Sequence, residues 1–310
     1  MNKILITGSN GLLGTAFKSV LGFNDPNIVY HSRDLFDLRD ALATKIYIKD
    51  QIENNGVDTI IHAAAIVGGI QANLQENERF LTDNVLINNN IINSALENKV
   101  DNFVNILSTC IFPAENIKYP LTKDQIDLGP PHPSNSGYAY AKRLSGHQTK
   151  ILGEAIGKNW FSVIPPNLYG KNDNFNHTTS HLVGGLIHRA YIAKKNNTKL
   201  TIWGDGSPLR QFLYSEDLAR IVIEAIGEWK SNDHYMVVNP NEMSVMEIAN
   251  IICDEFGIDK NNIDFDLTKP KGQFRKPADS DVSEYSFKPF KEGIKETVEW
   301  FKENYEKART

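Results

Sequence analysis

The stretch Lys3-Ile-Leu-Ile-Thr7, followed by Gly8-Ser-Asn-Gly11-Leu-Leu-Gly14, is a short aliphatic run that ends on three glycines spaced GxxGxxG and then passes into a segment of helical period. A strand, a glycine turn and a helix N-terminus in that order have a physical use. The backbone turns tightly, approaches a pyrophosphate with no Cβ in the way, and offers helix N-terminal N–H groups to its charge. Gly8, Gly11 and Gly14 are therefore expected to form the cofactor turn of a dinucleotide-binding unit. The competing reading, a merely structural glycine-rich turn, is weakened by the position of the motif at the head of a series of similar units.

Those units follow at once. Aliphatic or aromatic runs at 3–7, 27–31, 58–62, 103–107 and 160–164 read as strands, with amphipathic segments at 11–21, 39–54, 84–97 and 138–155 between them. Alternation of this kind predicts an α/β fold, a Rossmann-type doubly wound parallel sheet. After Pro165-Pro166 the texture changes to a polar loop at 171–179, a helix near 180–194, a turn-rich stretch at 203–208, a segment at 216–228, a strand near 235–238 and helices near 245–256 and 290–305. In the last helix Phe290, Ile294, Val298, Phe301 and Tyr305 recur at helical spacing and predict a buried face. With no linker marking a boundary, the expected division is a Rossmann domain at 1–165 plus about 213–240, interleaved with a smaller C-terminal substrate domain at about 166–212 and 241–310.

Composition narrows the function. The 310 residues are 41% hydrophobic and 23% charged, so a sizeable core is available and disorder is excluded. Lys plus Arg minus Asp plus Glu is 33 − 38 = −5, which leaves no global field to draw the chain to a nucleic acid or an anionic membrane. Cys110 and Cys253 are its two cysteines and lack CxxC spacing, so neither a disulfide framework nor a metal site is expected. Ile4-Leu5-Ile6 is too short for the apolar core of a secretion signal, and no run approaches the ~20 apolar residues that span a bilayer. The expected location is cytoplasmic.

Two further features point to chemistry. The second strand ends in Tyr30-His31-Ser32-Arg33 with no carboxylate at its tip. A hydroxyl followed by a guanidinium suits a 2′-phosphate, so NADP is the expected cofactor, against the alternative that Arg33 is a solvated loop charge with Asp34 beside it. In Tyr138-Ala-Tyr-Ala-Lys142 the phenol and the ammonium share one helix face, one turn apart, and Ser108 ends the fourth strand. A cation beside a phenol lowers its pKa from about 10 and makes it a proton donor and acceptor.

With these motifs the sequence resembles the extended short-chain dehydrogenase/reductases, and within them the branch that epimerises a GDP-4-keto-6-deoxy sugar at C3 and C5 and reduces C4 with NADPH. The resemblance runs over nearly the whole chain. It is carried by His62-Ala-Ala-Ala65, Val67-Gly-Gly-Ile-Gln-Ala-Asn73, Leu107-Ser-Thr-Cys-Ile-Phe-Pro113 and Pro130-Pro-His-Pro-Ser-Asn-Ser-Gly-Tyr-Ala-Tyr-Ala-Lys-Arg143. Asn167-Leu-Tyr-Gly170, Asp173-Asn-Phe175, Ser180-His181 and Trp203-Gly-Asp-Gly-Ser-Pro-Leu-Arg-Gln-Phe212 continue it.

The resemblance implies a reductase triad of Ser108, Tyr138 and Lys142, with Cys110 and His181 as the epimerase base and acid. It implies cofactor contacts from Gly8, Asn10, Gly11, Leu12, Leu13 and Gly14, from Ser32, Arg33, Ala63 and Ala65, and from Lys142, Pro165, Asn167, Leu168 and His181. Asn167, Arg189, Trp203 and Arg210 are implied to meet the GDP-sugar, and Arg275 either joins them or stays a solvated loop charge. Gly184-Gly185 are expected to loosen the helix after His181. Both ring protons flanking a 4-ketone are acidic because either carbanion delocalises onto the one oxygen, so Ser108 and Tyr138 would serve two inversions and one reduction. A thiol near ~8.5 and an imidazole near ~6.5 are poised for the proton transfers. Cys253, in an apolar helical run, reads as packing. The resemblance also implies a homodimer through the helices at 84–97 and 138–155. A reductase-only enzyme for another GDP-4-keto sugar, such as a 6-deoxyheptose, and an inactive NADP-binding scaffold stand as alternatives.

Overall fold

Strand β1 (Ile4–Thr7) is buried along its whole length, as an aliphatic run must be in a parallel sheet covered on both faces. In the computed structural model, which describes residues 3–229, 232–269 and 273–310, it leads into α1 (Leu12–Leu21). The unit repeats through β2 (Ile28–His31), α2 (Ala41–Glu53), β3 (Thr59–His62), the short α3 (Ile70–Gln75), α4 (Asn77–Glu97), β4 (Asn102–Ile106), α5 (Ser136–Ile156) and β5 (Asn159–Ile164). Then come β6 (Asn167–Tyr169), α6 (Leu182–Asn196), β7 (Leu200–Trp203), β8 (Leu209–Tyr214), α7 (Ser215–Ala225), β9 (His234–Met236), β10 (Glu242–Ser244), α8 (Val245–Phe256), β11 (Ile263–Asp266) and α9 (Phe290–Asn304).

The main sheet has the order β2-β1-β3-β4-β5-β9, with every pairing parallel. Its two faces are both core, because successive side chains of a strand point opposite ways. Ile6, Ile61, Val104 and Phe161 pack with Phe17 and Leu218 on one face, and Leu5, Ile60, Phe103 and Trp160 pack with Ile91 on the other. This is the doubly wound α/β sheet expected from the sequence. The chain leaves β1 toward β2 on one side and returns to β3 on the other, and the crevice at that reversal is where such sheets take ligands.

The second lobe holds a three-stranded sheet, β10-β8-β6, and a β11-β7 pair, with α6, α8 and α9 around them. Ile294, Val298 and Phe301 of α9 are fully buried there with Tyr169, Phe175 and Ile187, while Phe290 and Tyr305 pack at the edge. Cys253 sits in the same core and is inert packing. Meanwhile α7 lies on α1 and β9 closes the edge of the main sheet.

The structure departs from the sequence pattern in two ways. Helix α4 starts at Asn77 rather than near 84, because Asn84 spends its side chain inside the helix bundle, bonding Ile66 and Phe80 carbonyls. Strands β7 and β8 flank the stretch marked only as a turn, and β6, β10 and β11 fall where no strand was expected. Their partners are distant in sequence.

Candidate active site

A cavity of about 700 Å³ opens at the carboxyl ends of the main strands and runs between the lobes. At one end lies the glycine turn. Gly8 has φ +72°, and a Cβ there would lie 2.7 Å from the Ala64 Cα; one on Gly14 would lie 2.2 Å from the Gly8 carbonyl oxygen. Glycine is required at both places. Gly11 caps α1 without a side chain, so the first amides of that helix are left to an anion. Behind the turn His62 is fully buried between Thr7 Oγ1 (2.9 Å) and Asn88 Oδ1 (3.0 Å). Burial and the Lys142 charge push its pKa down to about 3, so it is a neutral strut. Thr7 Oγ1 also accepts the Ala64 N–H, which sets the backbone between Ala63 and Ala65 along the cavity wall.

Asn10, Leu12, Leu13, Ser32 and Arg33 line the same end. So does Asp34, which the sequence reading did not include: its carboxylate accepts from Asn10 Nδ2 (2.9 Å) and Ser32 Oγ (3.3 Å). Arg33 is paired with Asp37 at 3.1 Å and is largely exposed.

At the centre, Ser108 caps the turn that carries Cys110, its Oγ accepting the Cys110 N–H at 3.3 Å. Tyr138 lies in the first turn of α5, whose start is bolted to α4. Asn77 Oδ1 accepts the Gly137 N–H (2.8 Å), and a Cβ on Gly137 would lie 2.0 Å from the Asn77 carbonyl oxygen. One turn on, Lys142 is 2% exposed and donates to the Ile106 carbonyl at 2.7 Å. Burial pushes its pKa down to about 8, so the ammonium persists at neutral pH.

The expected direction for Tyr138 is corrected here. Its phenol is pushed up by burial, with the Cys110 charge adding to that; the ammonium, held on a main-chain carbonyl, does not offset the desolvation. The group stands as a protonated donor. His181 stands at the N-cap position of α6 on the cavity wall, its side chain making no capping bond, and burial pushes its pKa down from its ordinary value.

The structure brings Ser108, Cys110, Tyr138, Lys142, Pro165, Asn167, Leu168, His181 and Arg210 into this one cavity. Arg189 and Trp203 stand apart from it, the guanidinium 5.0 Å over the indole and bonded to the Thr201 carbonyl, with Lys269 over the same ring at 5.2 Å. Arg275 turns away to Glu242, Nε to Oε2 being 2.8 Å, so of its two readings the solvated one describes its place. Gly184 and Gly185 do not loosen α6, which runs unbroken. A Cβ on Gly184 would lie 2.4 Å from the Asn174 carbonyl oxygen, so these glycines let the helix close on the loop before it.

Sequence reading missed Asp173, Gln211, Lys276 and Arg309, all of which line the cavity. Asp173 is 3% exposed with one oxygen unpartnered, and burial pushes its pKa up to about 7. Asp173 stands in a stretch that carries the resemblance but had no role assigned to it, and neither did Lys276. Among the described residues no cluster of His, Cys, Asp and Glu has the makings of a metal site, and no helix is long and apolar enough to cross a membrane.

Residues 4–239 match the model of the NAD dependent epimerase/dehydratase family. A GDP-L-fucose synthase of Dictyostelium discoideum is 38% identical over 99% of this chain and 97% of its own. The crystal structure of a GDP-L-fucose synthetase from Naegleria fowleri bound to NADP is 37% identical, superposes with a TM-score of 0.87, and is matched over 100% of this chain and 95% of that one. A GDP-6-OMe-4-keto-L-xylo-heptose reductase from C. jejuni shares the fold at a TM-score of 0.88 and 23% identity, over 98% of each chain.

Proposed function

The chain belongs to the NAD dependent epimerase/dehydratase family and, within it, groups with the GDP-L-fucose synthases; on that premise we propose that it is an NADP-dependent oxidoreductase that epimerises C3 and C5 of a GDP-4-keto-6-deoxy sugar and reduces C4. One observation carries this. Ser108, Cys110, Tyr138, Lys142 and His181 share a single cavity with a glycine turn in which Gly8 and Gly14 leave no room for a Cβ.

The turn fits a pyrophosphate on the ground already given, clearance at Gly8 and Gly14 and uncapped amides at the head of α1. In this reading Gly8, Asn10, Gly11, Leu12, Leu13 and Gly14 hold the diphosphate of NADP, Ser32 and Arg33 its 2′-phosphate, and Ala63 and Ala65 the adjoining wall. Pro165, Asn167, Leu168 and His181 hold the nicotinamide end. NADPH, when bound, supplies the hydride for C4. Lys142 has spent one of its three N–H donors on Ile106, which leaves two for ribose hydroxyls.

The rest is the work of side chains on the sugar. Ser108 and Tyr138 donate to the C4 oxygen as charge gathers there, first while a ring proton is removed and then as the ketone becomes an alcohol. Cys110 takes the proton at C3 or C5 and His181 returns one to the opposite face. Finally Tyr138, kept protonated by burial, gives its proton to the C4 oxygen. Arg210 is the substrate contact that faces this chamber; Arg189 and Trp203 are the nucleotide contacts of the reading, a cation stacked on an indole. Free thiols at Cys110 and Cys253 support a cytoplasmic setting, since a thiolate base works only where thiols stay reduced. The reading includes a homodimer, supported by the exposed apolar side chains of Leu81 and Leu86 on α4 and Tyr140, Leu144 and Ile151 on α5.

The test is incubation with NADPH and GDP-4-keto-6-deoxymannose in deuterated water, followed by NMR of the product. NADPH oxidation with deuterium at C3 and C5 is the expected result, and Tyr138→Phe should lower the oxidation rate by about 10²–10⁴-fold. Oxidation without deuterium would reduce the assignment to a C4 reductase. No oxidation would overturn it.

A further inference from the structure

We propose that Arg143 is the positioning residue for Cys110. It pins the far end of the turn that carries the thiol to the helix that carries Tyr138 and Lys142, and so sets where the epimerase base stands against the sugar. This rests on the reading of Cys110 as that base. Two consecutive residues of α5 hold the two ends of one short stretch. Lys142 Nζ donates to the Ile106 carbonyl (2.7 Å), just ahead of Ser108. Arg143 donates through Nε (2.9 Å), and also through Nη2, to the carbonyl of Ile111, the residue that follows Cys110. Ser108 and Cys110 lie between these two grips, and both line the cavity.

The thiol sits on a single tight turn, Thr109–Ile111, and a piece that short has little rigidity of its own. Within it the Ile111 N–H donates to the Ser108 carbonyl (3.1 Å) and the Phe112 N–H to the Thr109 carbonyl at 3.4 Å, a long bond. Its place is therefore set from outside. On the near side the Thr109 N–H donates to the Pro165 carbonyl (3.0 Å). On the far side Arg143 Nη1 donates to the Gly129 carbonyl (2.9 Å) while Nε holds Ile111. Gly129 opens the limb that returns to α5 beside the Cys110 loop, where the Ala114 N–H donates to the Pro130 carbonyl (3.0 Å) and Pro113 pairs with Pro131. One guanidinium thus ties the outgoing and returning limbs to each other and to the helix. A planar fork holds two carbonyls in fixed directions, which a freely turning ammonium does not.

The asymmetry of these bonds says what the residue is for. The groups of the reduction are placed without Arg143: Lys142 by Ile106, the head of α5 with Tyr138 by Asn77, and the start of the turn after Ser108 by Pro165. Cys110 lies between the Pro165 bond and the Arg143 grip and depends on both. Ile111 and Phe112 are buried just beyond it, so their packing keeps the loop in the fold when the guanidinium is removed. The loss then falls on the position of the thiol, and a displacement of about 1 Å at a reacting group costs up to about 10²-fold in rate.

The experiment sets two rates against each other in the full chain. Deuterium gained at C3 and C5 of GDP-4-keto-6-deoxymannose reads epimerisation, and single-turnover NADPH oxidation on the ketone already inverted at both carbons reads reduction. In Arg143→Met the exchange should fall about ten- to hundred-fold while the reduction changes by less than about three-fold. Melting temperature and NADP affinity by direct titration should stay near wild type, and Arg143→Lys, which keeps a donor for Ile111, should recover part of the exchange. An unchanged ratio of exchange to reduction, or an equal loss of both, overturns the proposal. If Arg143→Met does not fold, Arg143→Lys carries the same comparison, and a wild-type ratio there overturns it. A wild-type chain that oxidises NADPH with no exchange removes the epimerase reading and this proposal with it, so the wild-type control tells the two failures apart.

Discussion

Lys142 shows how burial sets chemistry at a single residue. Its ammonium, pushed down to about 8, is present below that pH and lost above it. Because the charged form is the one that holds ribose hydroxyls in the proposed mechanism, kcat/KM should fall as pH rises through about 8. In Lys142→Arg, whose charge does not titrate, that limb should vanish from the pH profile even if the rate is lower. Asp173 makes the opposite case. Its native carboxyl titrates at about 7 against ~3.9 in an unfolded chain, so between those values the native state holds the extra proton and stability declines as pH rises. Asp173→Asn removes that penalty. The variant should gain nothing below pH ~4, and its gain in Tm should grow up to about pH 7 and then level off, corresponding to a few kcal/mol on the order-of-magnitude scale of the shift. Thermal melts at matched pH values check it.

Among the elements, α5 carries the phenol and its orientation depends on the α4 contact at Gly137. Gly137→Ala would drive a Cβ into the Asn77 carbonyl, so the start of α5 must move, at a cost of about 1–3 kcal/mol. Tyr138 moves with it, and kcat should drop about ten-fold or more while NADPH affinity, set mainly by the glycine turn, changes little. Stopped-flow reduction against cofactor titration separates the two effects. The element scale is also where the sequence was most legible. The five strands of the first half were readable because each is an aliphatic run closed by turn residues; the structure adds that α8 is closed by Ser244 and Glu247 capping its first turn and by Gly257 at its end. Strands β7, β8, β10 and β11 were not: three to six residues with mixed burial carry no period of their own and are strands by virtue of partners elsewhere.

For the molecule as a whole, the proposed dimer makes a direct prediction. Ile151 is 60% exposed on α5, and Ile151→Glu should convert a dimer into a monomer by sedimentation or light scattering, with NADP binding retained because the cofactor turn lies in each chain. A wild-type chain that sediments as a monomer would remove the dimer. The sequence by itself determined the doubly wound sheet and where the glycine turn falls in it, because both depend on local spacing, short aliphatic runs and three glycines between a strand and a helix; the phenol and ammonium one helical turn apart were legible as a pair, while the thiol and imidazole were pointed to by the resemblance alone. Only the tertiary structure decided that Tyr138 is raised rather than lowered, that Arg275 faces Glu242, that Asp173 is buried and that Lys276 lines the same cavity as Cys110. Desolvation and charge act through space between segments separated along the chain, and no pattern along one segment records what the fold lays against it.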